Sequence, residues 1–551
     1  MGVYYKKTPD SCVGVHYSVF LWYNVVMNER LLPIGIQDFK KIREEGYIYV
    51  DKTKYIYSLA YNGYPYFISR PRRFGKSLLL STMEAYFLGK KELFKGLAIE
   101  ELEQDWIEYP VLKISFGTGN FENRKKLIER IDTVLSDFEN QYEIKKEKDD
   151  SSERFNNLIQ QIAKKTGKQV VILIDEYDKP ILDALYTEDE EENRQELRSL
   201  YSPLKDCDKY IKFLFITGIT KVSHVNIFSG LNQLNDISLD ENYSALCGIS
   251  KEELDKNFSP EISLLAEHNK LTVDEAKEKL AQMYDGYHFT YNVEGVYNPF
   301  SLLLCFSQKR FGSYWFDTAT PTMLIKSLEK HPADLLRYTR PIITYESNFK
   351  NYDPETGNML PVFYQSGYLT IKDYNFDSEL YTLVIPNREV EKGLYQIIIP
   401  KFTTITNDDL GLVIENFRQA FLQADIEKLM SALKAAVADI PTLLKKDQCE
   451  NYYQTVTHVL FRQTGFNVVS ELQSIAGRTD LVVTTKESVF IFELKMDKGM
   501  EDEAAAEEAL KQIEEKGYAT RFIVSGKTTH KIGVVFSSEG KGLVAWKETK
   551  K

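Results

Sequence analysis

The sequence has few cysteines and histidines, and this scarcity excludes several kinds of site. Its five cysteines are scattered and form no CxxC pair, so neither a zinc ribbon nor a disulfide framework is expected. Its seven histidines form no HxH or HxxxH cluster, which argues against a catalytic zinc site. A reducing, cytoplasmic compartment fits this pattern.

No apolar run is long enough to cross a membrane. The most membrane-like stretch, residues 17–26, is far shorter than the roughly 20 apolar residues that a span requires. No small-residue cleavage site follows it, so a signal peptide is a poor interpretation. We expect residues 1–30 to form an N-terminal extension, whose first 26 residues are either a variable segment or an upstream start-site artefact. No membrane partner is expected.

The chain also lacks an excess of positive charge. Its formal net charge is −12, so any polyanion-binding surface has to be local, because the overall field repels phosphate. The composition, 43% hydrophobic and 27% charged, is typical of folded globular proteins. A chain of 551 residues is expected to form two or three domains.

Short apolar runs alternate with helical patterns in the first part of the chain. This alternation predicts a parallel sheet with flanking helices, which is the α/β fold class. The four candidate strands are residues 64–69, 111–116, 170–175 and 212–218.

Changes in pattern divide the rest of the chain. After about residue 240 the pattern becomes mostly helical and rich in tyrosine, and a run containing proline at 439–448 marks a second boundary. The tail has enough apolar runs for a small α/β domain of its own. The predicted division is therefore a P-loop domain over 31–238, a mostly helical region over 239–440 and a small domain over 441–551.

The run RPRRFGKS has arginine where the phosphate-binding pattern GxxxxGK[ST] has its first glycine. The other positions are intact. Gly75 permits a turn that presents backbone amides to phosphate, Lys76 would reach the β- and γ-phosphates, and Ser77 would ligate Mg²⁺. An apolar strand precedes the loop and a helical pattern follows it, as phosphate binding at a helix N-terminus requires. A GKS tripeptide alone also fits an ordinary strand-turn-helix.

A second motif supports an ATP site. The apolar run VVILID ends in Asp175, and Glu176 follows. At the end of a buried strand, Asp175 is suited to hold Mg²⁺ and Glu176 to polarise an attacking water as general base. Thr217 ends another apolar run and is either a sensor of the γ-phosphate or a strand-end cap.

Four segments carry a resemblance that continues through YDGYHF, VYNPFSLL, YWFDTATPTML, YQSGYLTI and IPNREV and so covers nearly the whole chain from about residue 31. They read IQDFKKIREEGYIYVDKT, SRPRRFGKSLLLS, VVILIDEYDKP and FLFITGITKVS. Together they resemble the bacterial AAA-ATPase-like family that carries a C-terminal PD-(D/E)XK nuclease-superfamily domain. The loop RPRRFGKS recurs in that family, so the resemblance implies that the missing glycine is not decay.

The resemblance also implies that Asp51, Lys52 and Thr53 belong to the nucleotide pocket. The loop arginines are expected to hold phosphate or to signal its presence to the neighbouring domain. Among them we assign Arg70 and Arg73 to nucleotide binding.

A pattern of carboxylates and lysine lies near the C-terminus. Asp480 starts one strand pattern, a turn follows, and the return strand carries Glu493 and Lys495. Residues two apart on a strand share a face, and antiparallel pairing brings Asp480 near them. Two carboxylates suit Mg²⁺, and Lys495 can orient or deprotonate a water, which is the D…ExK arrangement of the PD-(D/E)XK fold. A carboxylate and a lysine at this spacing are also common on exposed strands.

Further residues extend this pattern. Glu450 and Glu471 are candidate additional ligands, and the resemblance places Gln512 where the superfamily often has a phosphate-contacting glutamine. The domain over 441–551 contains 16 basic and 16 acidic residues, so nucleic-acid binding needs clustered charge. The candidates for such a cluster are Arg462, Arg478, Lys495 and Lys498.

Two functions are open from the sequence. The first is an ATPase coupled to a Mg²⁺-dependent nuclease-like domain that acts on nucleic acid, with DNA favoured over RNA. The second is an ATP-dependent regulatory switch whose C-terminal domain binds a partner or nucleic acid without cutting it. The first is favoured because Asp480, Glu493 and Lys495 are all present. An oligomer is compatible with both.

Overall fold

The structure, a computed structural model, describes most of the chain. The described residues are 30–221, 233–315, 324, 326, 337–352, 357–438, 449–474, 477–497, 501–517, 519, 522, 526–538 and 541–550. Apart from residue 30, the predicted N-terminal extension lies outside them. The predicted domain boundaries stay predictions.

A five-stranded parallel sheet forms the centre of the first part of the chain. Its strands are β1 (Pro65–Ser69), β2 (Val111–Ser115), β3 (Val170–Asp175), β4 (Ile211–Gly218) and β5 (Asn235–Asp236), in the order β2-β3-β4-β1-β5. All six residues of β3 are buried, as expected of a central strand covered on both faces. The four strands predicted from sequence are present within one residue of their predicted bounds, and the α/β class is confirmed.

Helices connect and flank these strands. They are α1 (Phe39–Glu44), α2 (Thr53–Asn62), α3 (Lys76–Phe87), α4 (Ala98–Leu102), α5 (Arg124–Gln141), α6 (Ser151–Thr166), α7 (Lys179–Asp183), α8 (Asp189–Tyr201) and α9 (Pro203–Asp206). Local sequence explains their ends. At the start of α6, for example, the Asp150 side chain accepts a hydrogen bond from the Glu153 backbone, and α6 ends at the left-handed Gly167.

The region after β5 is mostly helical, as predicted, but it also contains two small antiparallel sheets. The first of these sheets pairs β6 (Ile249–Ser250) with β7 (Val296–Tyr297). The second contains β8 (Ile342–Thr344), β9 (Thr370–Asn375) and β10 (Leu380–Val384), with β10 between the other two strands. β6, β7 and β8 have only two or three residues, which is too few for a pattern to be recognised from sequence, and β9 and β10 lie among turn-rich segments. The elements are β6 (Ile249–Ser250), α10 (Lys251–His268), α11 (Val273–Tyr284), β7 (Val296–Tyr297), α12 (Pro299–Gln308), β8 (Ile342–Thr344), α13 (Ser347–Lys350), α14 (Leu360–Gln365), β9 (Thr370–Asn375), β10 (Leu380–Val384), α15 (Arg388–Phe402), α16 (Asn407–Gln423) and α17 (Ile426–Ala436).

The last part of the chain forms a mixed five-stranded sheet. Its elements are α18 (Cys449–Gln463), β11 (Asn467–Ser474), β12 (Gly477–Thr484), β13 (Ser488–Met496), α19 (Asp502–Glu515), β14 (Thr528–Phe536) and β15 (Leu543–Lys550). The strand order is β11 to β15, and β13 and β14 are parallel while the other pairs are antiparallel. A Cβ at Gly533 would lie 2.5 Å from the carbonyl oxygen of Ala506, so glycine lets α19 pack directly on β14.

The mostly helical region packs against this second sheet. Phe421 of α16 lies 4.9 Å from the ring of Phe461 in α18 and 5.1 Å from that of Phe490 in β13. These rings belong to one continuous hydrophobic core that also includes the first sheet. In the described part of the chain, every helix is too short or too polar to cross a membrane.

Candidate functional site

The phosphate-loop motif lies at the carboxyl end of β1, directly before α3. Gly75 has a φ of +89° and Arg73 a φ of +68°, so two residues of the turn adopt left-handed conformations. No atom lies within 4 Å of a Cβ built on Gly75, so the backbone angle rather than crowding requires glycine there. Turns of this kind collect backbone N–H groups into anion-binding concavities.

Lys76 is the first residue of α3 and is only 6% exposed. Its Nζ donates hydrogen bonds of 2.9 Å to the carbonyl oxygens of Arg70 and Pro71. Burial lowers the pKa of Lys76, whereas the charges of Glu176 and Asp175 act in the opposite direction. The ammonium group is therefore held inside the loop, close enough to both motif carboxylates to interact with them.

Asp175 and Thr217 form a pair across neighbouring strands. Thr217 is fully buried in β4, and its hydroxyl donates a 2.7 Å hydrogen bond to Oδ1 of Asp175 at the end of β3. Thr217 is absent from the lining of the cavity beside the loop, among the residues that the structure describes. Asp175 is also absent from that described lining, so the observed contact of Thr217 is with the aspartate, and its role as a sensor of the γ-phosphate stays a prediction.

Glu176 follows Asp175 and adopts an unusual backbone conformation. Its φ is +52°, a left-handed value that non-glycine residues rarely adopt, and such strain is common at functional sites. The residue is half-buried, and burial raises the pKa of its carboxyl group, while Lys76 opposes the shift. Asp175 and Asp178 raise this pKa further.

A cavity of about 380 Å³ lies beside the loop and is lined by both Lys76 and Glu176. Its polar lining includes Lys52, Lys76, Ser77 and Glu176. The apolar lining comes both from the segment before α2 and from the region after β5. It includes Ile36, Ile48, Val50, Ile249, Phe258 and Leu303. A mostly apolar cavity with a few convergent polar groups is the usual form of a small-molecule site.

A second cluster lies on the C-terminal sheet. The backbone N–H of Leu494 donates a 2.8 Å hydrogen bond to Oδ2 of Asp480, which brings this carboxylate from β12 close to the last residues of β13. Gln512 of α19 joins the other two predicted residues, because its Oε1 accepts a 2.7 Å bond from Lys495 and its amide donates to Glu493. Asp480, Glu493 and Lys495 therefore lie close together, and Gln512 is hydrogen-bonded to both Glu493 and Lys495.

Glu493 has the properties of a cation ligand. It is 3% exposed, and burial together with the charge of Asp480 raises its pKa to about 7. Its Oε2 is buried and has no hydrogen-bond partner among the described residues. A divalent cation that takes oxygen ligands would supply the missing partner. Within the described residues, no group of three or more His, Cys, Asp or Glu side chains is placed to hold a metal ion. At this cluster the described carboxylates available to a cation are therefore those of Asp480 and Glu493.

Comparison with known families gives two matches. Residues 33–228 match a family model described as a predicted AAA-ATPase, and residues 448–546 match one described as the PD-(D/E)XK nuclease superfamily. A protein of Azotobacter chroococcum mcd 1, named as an uncharacterized protein in the vnfD 5′ region, is 36% identical over 534 residues. That match covers 94% of this chain and 99% of the relative.

The chain belongs to the AAA-ATPase-like family that carries a C-terminal PD-(D/E)XK domain. The two domain matches support ATPase and nuclease-like roles in general terms. The loop side of the cavity lies within the AAA-ATPase-like match, whereas Ile249, Phe258 and Leu303 of its lining come from beyond residue 228. The cluster around Glu493 lies within the PD-(D/E)XK match.

The three loop arginines of the AAA-ATPase-like domain point to different surroundings. Arg70 is 1% exposed, donates to the carbonyls of Ser238 and Tyr243, and stacks 4.0 Å above the ring of Phe289. It is absent from the described cavity lining, so its placement does not fit the expected role in nucleotide binding. The motif spacing predicts order along the loop but not the side to which each side chain turns. Arg72 and Arg73 do line the cavity.

The structure separates the three residues that the resemblance assigned to the nucleotide pocket, Asp51, Lys52 and Thr53, because only Lys52 lines the described cavity. Lys52 lines the cavity, and its Nζ donates to Glu253 at 2.6 and 2.7 Å and to the carbonyl of Ala245 at 2.6 Å. Asp51 instead accepts hydrogen bonds from Thr53 and from the backbone of Ala98 at the start of α4. Neither Asp51 nor Thr53 is in the described lining, and their hydrogen bonds join the start of α2 to the start of α4.

Sequence reasoning missed Asp178. This fully buried carboxylate accepts hydrogen bonds from the backbone N–H groups of Ile219 and Thr220 and from the Thr220 hydroxyl. Burial raises its pKa. It therefore ties the segment after β3 to the end of β4. Its place in the motif DEYDKP, two residues after Glu176, was the available signal.

The remaining candidates from the sequence either make contacts within the fold or have side chains that the structure does not describe. His288 lies in a loop with Nδ1 3.0 Å from the carbonyl oxygen of Val293, which fits a packed residue. Arg462 pairs with Glu391 rather than standing free for nucleic acid. The structure does not describe the side chains of Glu450, Glu471, Arg478 and Lys498.

Proposed function

We propose that this protein binds and hydrolyses ATP in the cavity beside the phosphate loop, and that it thereby controls a Mg²⁺-dependent nuclease domain acting on nucleic acid. One observation carries the proposal: Lys76 and Glu176 converge on one cavity at the carboxyl edge of the parallel sheet. In open α/β sheets ligands bind at that edge.

The phosphate side of the site follows from the loop. The amides around Gly75 and the ammonium group of Lys76 bind the phosphates, and the positive end of α3 adds to the attraction. Ser77, which lines the cavity, and Asp175, at the end of β3, would supply the hard oxygen ligands that Mg²⁺ prefers. When bound, Mg²⁺ supplies neutralising charge to the phosphates.

Glu176 is the general base in this proposal. It lines the same cavity as Lys76, and its raised pKa makes it a better proton acceptor than an exposed glutamate. Thr217 acts through Asp175, which it holds in place by a hydrogen bond. Asp178 keeps the neighbouring segment fixed, so that the strained backbone of Glu176 is retained.

In the PD-(D/E)XK domain, Asp480 and Glu493 are the residues that would hold a divalent cation. The bound cation supplies charge stabilisation at phosphorus. Lys495 orients or deprotonates the attacking water. Gln512 holds the side chains of Lys495 and Glu493 in place through its hydrogen bonds to both. The nucleic acid is proposed to be DNA rather than RNA, and a cytoplasmic location fits the buried free thiols of Cys207, Cys247 and Cys305.

The decisive experiment incubates DNA and RNA with the wild-type protein and with Asp480→Ala, with and without ATP and Mg²⁺. We expect Mg²⁺-dependent cleavage by the wild type, its loss in Asp480→Ala and unchanged ATP turnover. Asp502→Ala, which removes an exposed carboxylate at the start of α19, is the matched control and should cleave normally. Intact ATP turnover without cleavage under any condition would favour the regulatory switch instead.

A further inference from the structure

Residues from the region after β5 enclose the phosphate loop. The ring of Phe74 lies 4.8 Å from that of Tyr287 and 5.5 Å from that of Phe289. Pro71 approaches Gly367 so closely that a Cβ on the glycine would lie 2.8 Å from Cβ of the proline. The shape of the loop therefore depends on packing from outside the first domain.

Trp315 adds a polar contact to this enclosure. It is fully buried, and its Nε1 donates a 3.2 Å hydrogen bond to the carbonyl oxygen of Arg72. The indole ring also packs edge-on against Tyr368 at 5.2 Å. Because Arg72 directly precedes the left-handed Arg73, the indole holds a carbonyl within the turn that shapes the phosphate site.

Glu389 in turn holds the backbone at Trp315. Its Oε1 accepts hydrogen bonds from the N–H groups of Tyr314 and Trp315, the second at 2.8 Å. Glu389 is fully buried in the first turn of α15. A buried carboxylate is costly to separate from its donors, so Trp315 and the start of α15 should move together.

The same turn of α15 also contacts the C-terminal domain. Oε1 of Glu391 accepts a 2.7 Å hydrogen bond from Nε of Arg462 in α18. Gln463 donates a 3.0 Å hydrogen bond to the carbonyl of Lys392. Arg462 further donates to the carbonyl of Val468 in β11, so this contact extends to the second sheet.

We propose that Trp315 is a positioning residue for the phosphate loop, and that the first turn of α15 transmits the state of the loop to the C-terminal domain. This inference rests on the proposed ATP binding. Phosphate in the loop shifts the peptide between Arg72 and Arg73, and Trp315 follows its hydrogen-bond acceptor. Glu389 and Glu391 belong to one helical turn, so the shift reaches Arg462. Coupling between distant sites is carried by contiguous networks of this kind.

The test measures hydrogen–deuterium exchange of the full-length protein with and without Mg²⁺ and the non-hydrolysable analogue adenosine 5′-(β,γ-imido)triphosphate. Nucleotide affinity is measured in parallel. The variants are Trp315→Phe, which removes the indole N–H, and Glu391→Gln, which weakens the bond to Arg462. Trp106→Phe is the matched control, because Trp106 also donates its indole N–H to a carbonyl, that of Glu103, away from the loop.

In the wild type and in Trp106→Phe, the analogue should slow exchange in the loop and change exchange in α18. Glu391→Gln should keep wild-type affinity and loop protection but lose the response of α18. Trp315→Phe should lose that response and bind the analogue about fivefold more weakly, the effect of one net hydrogen bond. An unchanged α18 response in Glu391→Gln, or unchanged affinity in Trp315→Phe, overturns the inference. A wild type that binds the analogue without any change of exchange in α18 also overturns the inference, whereas a wild type that shows neither measurable affinity nor a change in loop exchange overturns the proposed ATP binding itself.

Discussion

Oδ1 of Asp175 accepts a 2.7 Å hydrogen bond from the hydroxyl of Thr217 on the neighbouring strand. Thr217 is fully buried and Asp175 is 4% exposed. The bond joins the carboxyl ends of β3 and β4 at the edge of the sheet where the cavity lies. In this account Thr217 supports the carboxylate that would hold Mg²⁺ and does not touch the nucleotide.

Replacing Thr217 with valine removes the hydroxyl and keeps the shape of the side chain. A buried carboxylate oxygen then loses its donor, so the free energy of unfolding should fall by about 1–3 kcal/mol. ATP turnover should fall as well, because Asp175 is no longer held. Urea unfolding and a phosphate-release assay measure the two effects. Thr217→Ser keeps the hydroxyl and should resemble the wild type; wild-type stability and turnover in Thr217→Val would contradict the assignment.

Replacing Glu176 with glutamine should separate ATP binding from hydrolysis. The amide keeps the size of the side chain but cannot accept the proton of the attacking water, so turnover should fall by about 10²- to 10⁴-fold. Binding should persist, because the phosphate contacts are unchanged. Glu192→Gln, an exposed position on α8, is the control. Turnover within a few-fold of the wild type would remove Glu176 from the mechanism.

The sequence predicts the parallel sheet and the order of its motifs because the evidence is local. A short, continuous apolar run such as that of β3, followed by two carboxylates, favours a buried strand, and the structure contains that strand. The D…ExK pattern is equally local, because strand periodicity puts Glu493 and Lys495 on one face. Their meeting with Asp480 then needs only the hairpin between β12 and β13.

What the sequence does not predict depends on contacts between distant segments. Arg70 turns toward Ser238 and Tyr243, about 170 positions further on, and no local pattern reveals that choice. The link between Trp315 and the carbonyl of Arg72 spans an even longer gap of 243 positions. The sheet of β8, β9 and β10 escapes prediction because each strand is short and its partners are supplied by the fold.

His458 should make stability sensitive to acid. Burial lowers its pKa from 6.5 to about 4, with Arg462 and Arg340 adding to the effect. Between these values the unfolded chain binds a proton that the folded protein does not, so the unfolded state gains stability as the pH falls. The free energy of unfolding should therefore decrease from about pH 6.5 to pH 4, by up to about 3 kcal/mol.

Urea unfolding at pH 7.5 and at pH 5 checks this dependence. His458→Gln should lose the part of the pH dependence that His458 contributes. His268→Gln, at an exposed position at the end of α10, should keep the wild-type dependence. An equal loss of stability in acid for the wild type and His458→Gln would show that other groups titrate.

The most direct test of the ATP site is calorimetric titration of the wild type and of Lys76→Ala with ATP and Mg²⁺. Lys76 is the buried ammonium group of the loop, so its removal should weaken binding by about 100-fold or more while the fold survives. Lys40→Ala, at an exposed position on α1, controls for loss of charge and should bind normally. Saturable binding by the wild type that is lost in Lys76→Ala is the predicted result. Binding by Lys76→Ala as tight as that of the wild type would contradict the account.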